Sequence, residues 1–68
     1  MADSLGNNLR EARTARGWTQ AELAEQIGVS RKTINTVENG VFVPSTVLAL
    51  KLARALGRSV EGLFTLIE

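Results

Sequence analysis

Gly17, Gly28, Gly40 and Gly57 are each followed by a serine or threonine suited to open a helix, Thr19, Ser30, Ser45 and Ser59. Glycine ends helices because it tolerates the left-handed conformation, and a Ser or Thr hydroxyl accepts the free N–H groups that open the next helix. This punctuation divides the chain into five short helices. The first runs from about Asn8 to Arg16, with Leu5, Leu9 and Ala12 on one side and a basic opposite face. The second opens at Thr19, where Glu22 stands three residues on as a capping-box partner, and carries Leu23, Ala24 and Ile27 inward. After Ser30, a third carries Ile34 and Val37 inward until Asn39 and Gly40 close it. Residues 41–44 connect, because the residue before Pro44 is pushed out of the helical region. A fourth helix spans about Thr46 to Leu56 with a core stripe of Leu48, Leu52 and Leu56. Behind Ser59, a fifth points Val60, Leu63 and Phe64 inward. The first six or so residues and the last three or four are expected to be loose.

Sixty-eight residues allow one compact core, and a strand-rich fold of that length would leave too many open edges. With 44% apolar residues and a single proline, the composition is that of a globular chain. The expected fold class is therefore all-α, a single domain over 1–68 with its core at about 8–64. The absence of cysteine and histidine removes disulfides, thiolate metal sites and imidazole catalysis, so no metal, cofactor or catalytic residue is expected. Glu22 and Glu25 have no third ligand near them in sequence and read as surface charges. Ser30 and Lys32 are two apart, so they do not face each other on a helix, and Ser30 serves as a cap. No apolar run approaches the roughly 20 residues that span a bilayer, and Met1 to Gly6 has no signal pattern; a cytoplasmic protein is expected.

A formal net charge of +1 is too small to mark a nucleic-acid binder, so the placement of charge decides. Arg10, Arg13 and Arg16 cluster early and Arg31 and Lys32 later, with Glu22 and Glu25 between. On the third helix, Ile34 and Val37 face the core while Arg31, Lys32, Asn35 and Thr36 share the other side at i, i+1, i+4 and i+5. Those types read base edges: Arg and Lys donate to guanine O6 and N7, Asn pairs with adenine N6 and N7, and the Thr methyl meets the thymine methyl.

The stretch Trp18 to Gly40, WTQAELAEQIGVSRKTINTVENG, resembles the helix-turn-helix of the Xre, or Cro and phage-repressor, family, as do the later FVPS and LALKLARALGRSVEGLF. The resemblance implies a lambda-repressor-like five-helix domain with its helix-turn-helix at about 19–39, in a prokaryotic or phage transcriptional regulator. It implies further that Gln20 and Asn39 hold DNA phosphates, that Ser30 and Thr33 face the DNA backbone, and that Arg31, Lys32 and Asn35 meet bases with Thr36 nearby. Arg13 and Glu38 match positions that form an ion pair between the first and third helices. The chain departs from the pattern at Val41, where family members often carry lysine, and at Val47, often polar; an exposed Val47 would suit a subunit interface.

The remaining residues read plainly. Arg10 and Arg16 solvate the first helix, Trp18 packs as a hydrophobic staple on Leu23, and Phe42 lids the small core. The function expected is sequence-specific binding of double-stranded operator DNA as a homodimer, repressing by occlusion, with no small-molecule ligand and no membrane partner. Dimerisation follows from energetics, because one short reader helix offers too few base contacts for specific binding. An antitoxin that binds both a toxin protein and operator DNA is the alternative, and a neighbouring gene for a small toxic protein would distinguish it. A purely protein-binding coactivator module has no use for the Arg31, Lys32, Asn35 face.

Overall fold

A computed structural model describes residues 4–67. In chain order they form β1 (Ser4–Asn7), α1 (Leu9–Ala15), α2 (Gln20–Ile27), α3 (Arg31–Glu38), α4 (Thr46–Leu56), α5 (Val60–Leu63) and β2 (Phe64–Ile67). The five helices lie where the punctuation places them. Thr19 accepts the Glu22 N–H at 3.1 Å while the Glu22 carboxylate accepts the Thr19 N–H at 2.8 Å, a complete capping box. Ser30, Ser45 and Ser59 cap α3, α4 and α5 by accepting the N–H groups of Thr33, Leu48 and Gly62. Gly28, at φ +74°, ends α2, and only Val29 and the cap Ser30 separate it from α3. That left-handed residue sets the tight turn of the helix pair.

One core joins all five helices. Leu9, Leu23, Ile34, Leu52 and Leu63 are fully buried, with Ala12, Ala24, Ile27, Val37, Leu48, Ala53, Leu56 and Phe64 around them. Trp18 packs against this cluster, as a staple requires, and the Arg16 guanidinium lies over its ring, 4.7 Å from the centroid. Arg16 is thus a stacked cation rather than a merely solvated one. Phe42 is 48% exposed and lines a cleft with Asn7, Val37 and Phe64, so it shields that edge of the core only in part.

The chain ends depart from expectation. Ser4–Asn7 and Phe64–Ile67 are not loose: they pair antiparallel in the register Ser4↔Ile67, Leu5↔Leu66, Gly6↔Thr65 and Asn7↔Phe64. Leu5, assigned by sequence to the first helix's apolar side, reaches the core from this strand instead. Asn7 fixes the strand to the helices, donating to the Val37 carbonyl at 3.0 Å and accepting the Leu9 N–H at 3.1 Å. Four-residue strands give no usable alternation, and their partner lies at the far end of the chain, so local pattern could not reveal them. Residues 1–3 and 68, also expected to be loose, lie outside the described residues.

Candidate nucleic-acid interface

The amphipathic sequence of α3 leaves it two unlike faces. Ile34 and Val37, 0% and 1% exposed, pin it against α2 and the core, while Arg31, Lys32 and Asn35 stand exposed on the other side. Thr36 is half-buried, and its hydroxyl donates back to the Thr33 carbonyl at 3.0 Å, which leaves a partner its methyl and the oxygen's acceptor side. The Ser30 and Thr33 hydroxyls sit 3.0 Å apart at the N-terminal end of α3, Ser30 exposed and Thr33 half-buried. Free N–H groups and the positive dipole end at this terminus suit a phosphate.

At the other end, Glu38 organises a polar cluster. Its side chain is 0% exposed, and Arg13 at 11% grips it with Nε donating to Oε2 at 2.6 Å and Nη2 to Oε1 at 3.2 Å. The third Arg13 nitrogen donates to the Trp18 carbonyl at 2.8 Å, so one guanidinium joins α1, the α1–α2 turn and α3. Burial pushes the Glu38 carboxyl up, but hydrogen bonds from Arg13 and Gln20, the Arg13 charge and a hydrogen bond from Arg10 outweigh it and hold the group below the ordinary carboxylate range.

One member of the cluster, Arg10, has no site role in the sequence reading, and Gln20 and Asn39, expected at phosphates, have partners within the protein. Arg10, expected only to solvate α1, donates to Glu38 and to Asn39 Oδ1, each at 3.4 Å. The available signal was its i, i+3 spacing from Arg13, which sets both on one face of α1. Gln20 donates to Glu38 Oε1 at 3.1 Å and to Asn35 Oδ1 at 3.2 Å, and Asn39 Nδ2 donates to the same Asn35 oxygen at 3.3 Å. The structure therefore brings Gln20, Asn35 and Asn39 together, although the sequence reading gave them separate partners. Both N–H groups of the Gln20 amide are engaged within the protein, so a phosphate at this corner would take one over or meet the open backbone N–H groups of α2.

Among the described residues no cluster of three His, Cys, Asp or Glu could hold a metal ion, and no helix is long and apolar enough to cross a membrane. The site is an exposed polar surface, with basic and amide groups on a helix held from behind.

Comparison with known proteins agrees with this geometry. The Helix-turn-helix family model, HTH_3, matches residues 9–63. An HTH-type transcriptional regulator of Methanothermobacter thermautotrophicus is 51% identical over 61 residues, 88% of each chain. The HTH-type transcriptional regulator YgzD of Bacillus subtilis is 40% identical over 64 residues, 94% of this chain and 97% of its own. Among solved structures, the restriction-modification controller protein C.AhdI of Aeromonas hydrophila superposes with a TM-score of 0.74 at 42% identity, covering 79% of this chain and 78% of its own. With the five helices, the capped turn at Gly28 and the polar face of α3 in place, the chain belongs to the helix-turn-helix family of DNA-binding transcriptional regulators.

Proposed function

We propose that the protein is a sequence-specific repressor that lays α3 in the major groove of operator DNA, as a homodimer on a two-fold-symmetric site with half-sites about 10 base pairs apart. The observation that carries this reading is the division of α3: Ile34 and Val37 are buried while Arg31, Lys32 and Asn35 are exposed together near the front of the helix. Arg31, Lys32 and Asn35 read bases with Thr36 beside them, and Ser30, Thr33, Asn39 and Gln20, the last through its open backbone N–H at the start of α2, meet the phosphates on either side.

A second subunit suits the exposed apolar side of the molecule. Val43, Val47 and Leu50 are 69%, 64% and 56% exposed, and an apolar cleft lined by Leu5, Ala49, Leu50, Val60 and Phe64 lies beside them. Burying this face against its own copy removes apolar surface from water and doubles the number of base contacts. Repression by occlusion needs only occupancy of a promoter, and a cytoplasmic location follows from that role.

The test is selection of bound sequences from a randomised duplex pool, with the enriched duplex re-measured against scrambled DNA at about 50 and 200 mM salt. The expected outcome is a palindrome bound with steep salt dependence, and Asn35→Ala relaxing preference at one or two positions by roughly 1–3 kcal/mol. An unenriched pool with only weak, salt-sensitive binding overturns the operator reading and directs attention to a protein partner.

A further inference from the structure

Asn35 is the reader whose state the structure defines most closely. An amide oxygen has two lone pairs, and both of those on Asn35 Oδ1 have donors, Gln20 Nε2 at 3.2 Å and Asn39 Nδ2 at 3.3 Å. Its Nδ2 has no acceptor among the described residues, and the residue is exposed. The two amides that hold it are themselves held: Gln20 by the shielded Glu38 carboxylate at 3.1 Å, and Asn39 by Arg10 Nη2 at 3.4 Å. Because Arg13 fixes Glu38 in turn, the arrangement is anchored to α1 through a buried ion pair rather than resting on surface side chains alone.

Bidentate pairing with adenine requires Asn35 Oδ1 to accept the adenine N6–H while Nδ2 donates to N7. With the oxygen already saturated, only the second half of that pair is on offer. We propose that Asn35 reads its base as a donor alone, giving its amide N–H groups to the N7 edge of a purine, with its carbonyl kept from the base by Gln20 and Asn39. Guanine adds O6 beside N7, a second acceptor for the same nitrogen, whereas the amino group of adenine meets no free acceptor. Thymine offers this donor one acceptor, O4, and cytosine only its amino donor, so the position read by Asn35 excludes cytosine and takes guanine at least as well as adenine. Gln20 acts there as a positioning residue, setting which half of the Asn35 amide faces the groove. This inference rests on the reading of α3 as the groove helix.

The experiment uses the full chain and the duplex enriched by selection. Each base of a half-site is replaced singly, and the position belonging to Asn35 is the one whose substitution penalty disappears in Asn35→Ala. At that position the parent protein is expected to bind guanine as tightly as adenine or tighter, to lose roughly 5- to 10-fold on replacement of N7 by carbon in the 7-deaza purine, and to change less than about twofold when adenine loses its amino group. Gln20→Ala, with folding checked by thermal melting, frees one lone pair and is expected to shift the adenine-to-guanine ratio several-fold toward adenine. An adenine requirement in the parent, with amino and N7 removal equally costly, overturns the donor-only assignment. So does a cytosine read by Asn35, the lack of any position that Asn35→Ala relaxes, or a Gln20→Ala protein with an unchanged base ratio. A pool in which no duplex is enriched instead overturns the groove reading itself, and this inference with it.

Discussion

Replacing Arg13 by Met removes the closer and better shielded of the two cations on the Glu38 carboxylate. Glu38 Oε2 has a single donor, Arg13 Nε at 2.6 Å, while Oε1 keeps Gln20 at 3.1 Å and Arg10 at 3.4 Å after the change. The carboxylate is 0% exposed beneath the Arg10, Arg13 and Gln20 side chains that bond it, so removing Arg13 strips away its main shield as well as its nearest charge. Loss of one member of a buried pair costs about 3–5 kcal/mol, and the two surviving donors on Oε1 place this case near 3 kcal/mol. A urea slope of about 1 kcal/mol per molar, usual for a small domain, turns that into a fall of roughly 3 M in the unfolding midpoint. The thermal midpoint should drop by at least about 12 °C. Arg13→Met with Glu38→Leu removes both charges, and its stability should return to within roughly 1–2 kcal/mol of the parent, because an apolar pair of similar volume carries no uncompensated charge. Equilibrium urea unfolding followed by far-UV circular dichroism measures all three proteins. A single-variant cost under about 1 kcal/mol, or a double variant no better than the single, would refute the argument that burial sets the strength of this pair.

Three further outcomes can be checked on the same protein. Because the folded Glu38 pKa lies below its unfolded value of about 4.3, the stability it contributes is complete above about pH 5 and disappears as pH falls through the unfolded and then the folded pKa; Glu38→Gln should flatten unfolding free energy against pH across that acid range, and an unchanged slope would place the titration elsewhere. At Gly28, φ is +74° and an added Cβ meets nothing within 4 Å, so Gly28→Ala should cost about 1–2 kcal/mol from backbone strain alone, whereas D-alanine introduced by chemical synthesis should be tolerated; equal losses for both enantiomers would contradict this. Val47→Asp with Leu50→Asp places two charges on the exposed apolar face of α4, and sedimentation equilibrium should show a monomer with unchanged helix content; a dimer of undiminished affinity moves the subunit interface to another surface.

The helices were legible because their ends are written locally. A cap acts over three residues and a terminating glycine over one, so Thr19 with Glu22, Ser30, Ser45 and Ser59 could be found without knowledge of tertiary contacts. The inward residues followed from helical spacing, and Leu9, Leu23, Ile34, Leu52 and Leu63 are buried as expected. The two-stranded sheet was not legible. Its strands are four residues long, and Leu5 fits a helical face as well as a strand, so only the pairing of one chain end with the other decides between them. Asn7 shows the same limit, since its hydrogen bond to the Val37 carbonyl joins residues 30 positions apart.

For the interface, residue type and helical spacing identified which groups stand on the outer face of α3, but not how far their polar atoms are already engaged. Asn35 is exposed, and by type alone it is an adenine reader; three-dimensional contact with Gln20 and Asn39 occupies its acceptor and leaves its donor. The Arg13–Glu38 pair came from resemblance, and its consequence is larger than a strut between two helices. Glu38 also receives Gln20 at the start of α2, so the carboxylate that secures α3 to α1 also orients the amide that holds Asn35. A buried charge network of this kind contributes less through its net energy, which apolar residues could match, than by fixing one arrangement of groups at the surface. On that argument Arg13→Met with Glu38→Leu, though nearly as stable as the parent, leaves Gln20 without its carboxylate and should show altered base preference at the position read by Asn35: stability and recognition part company at Glu38.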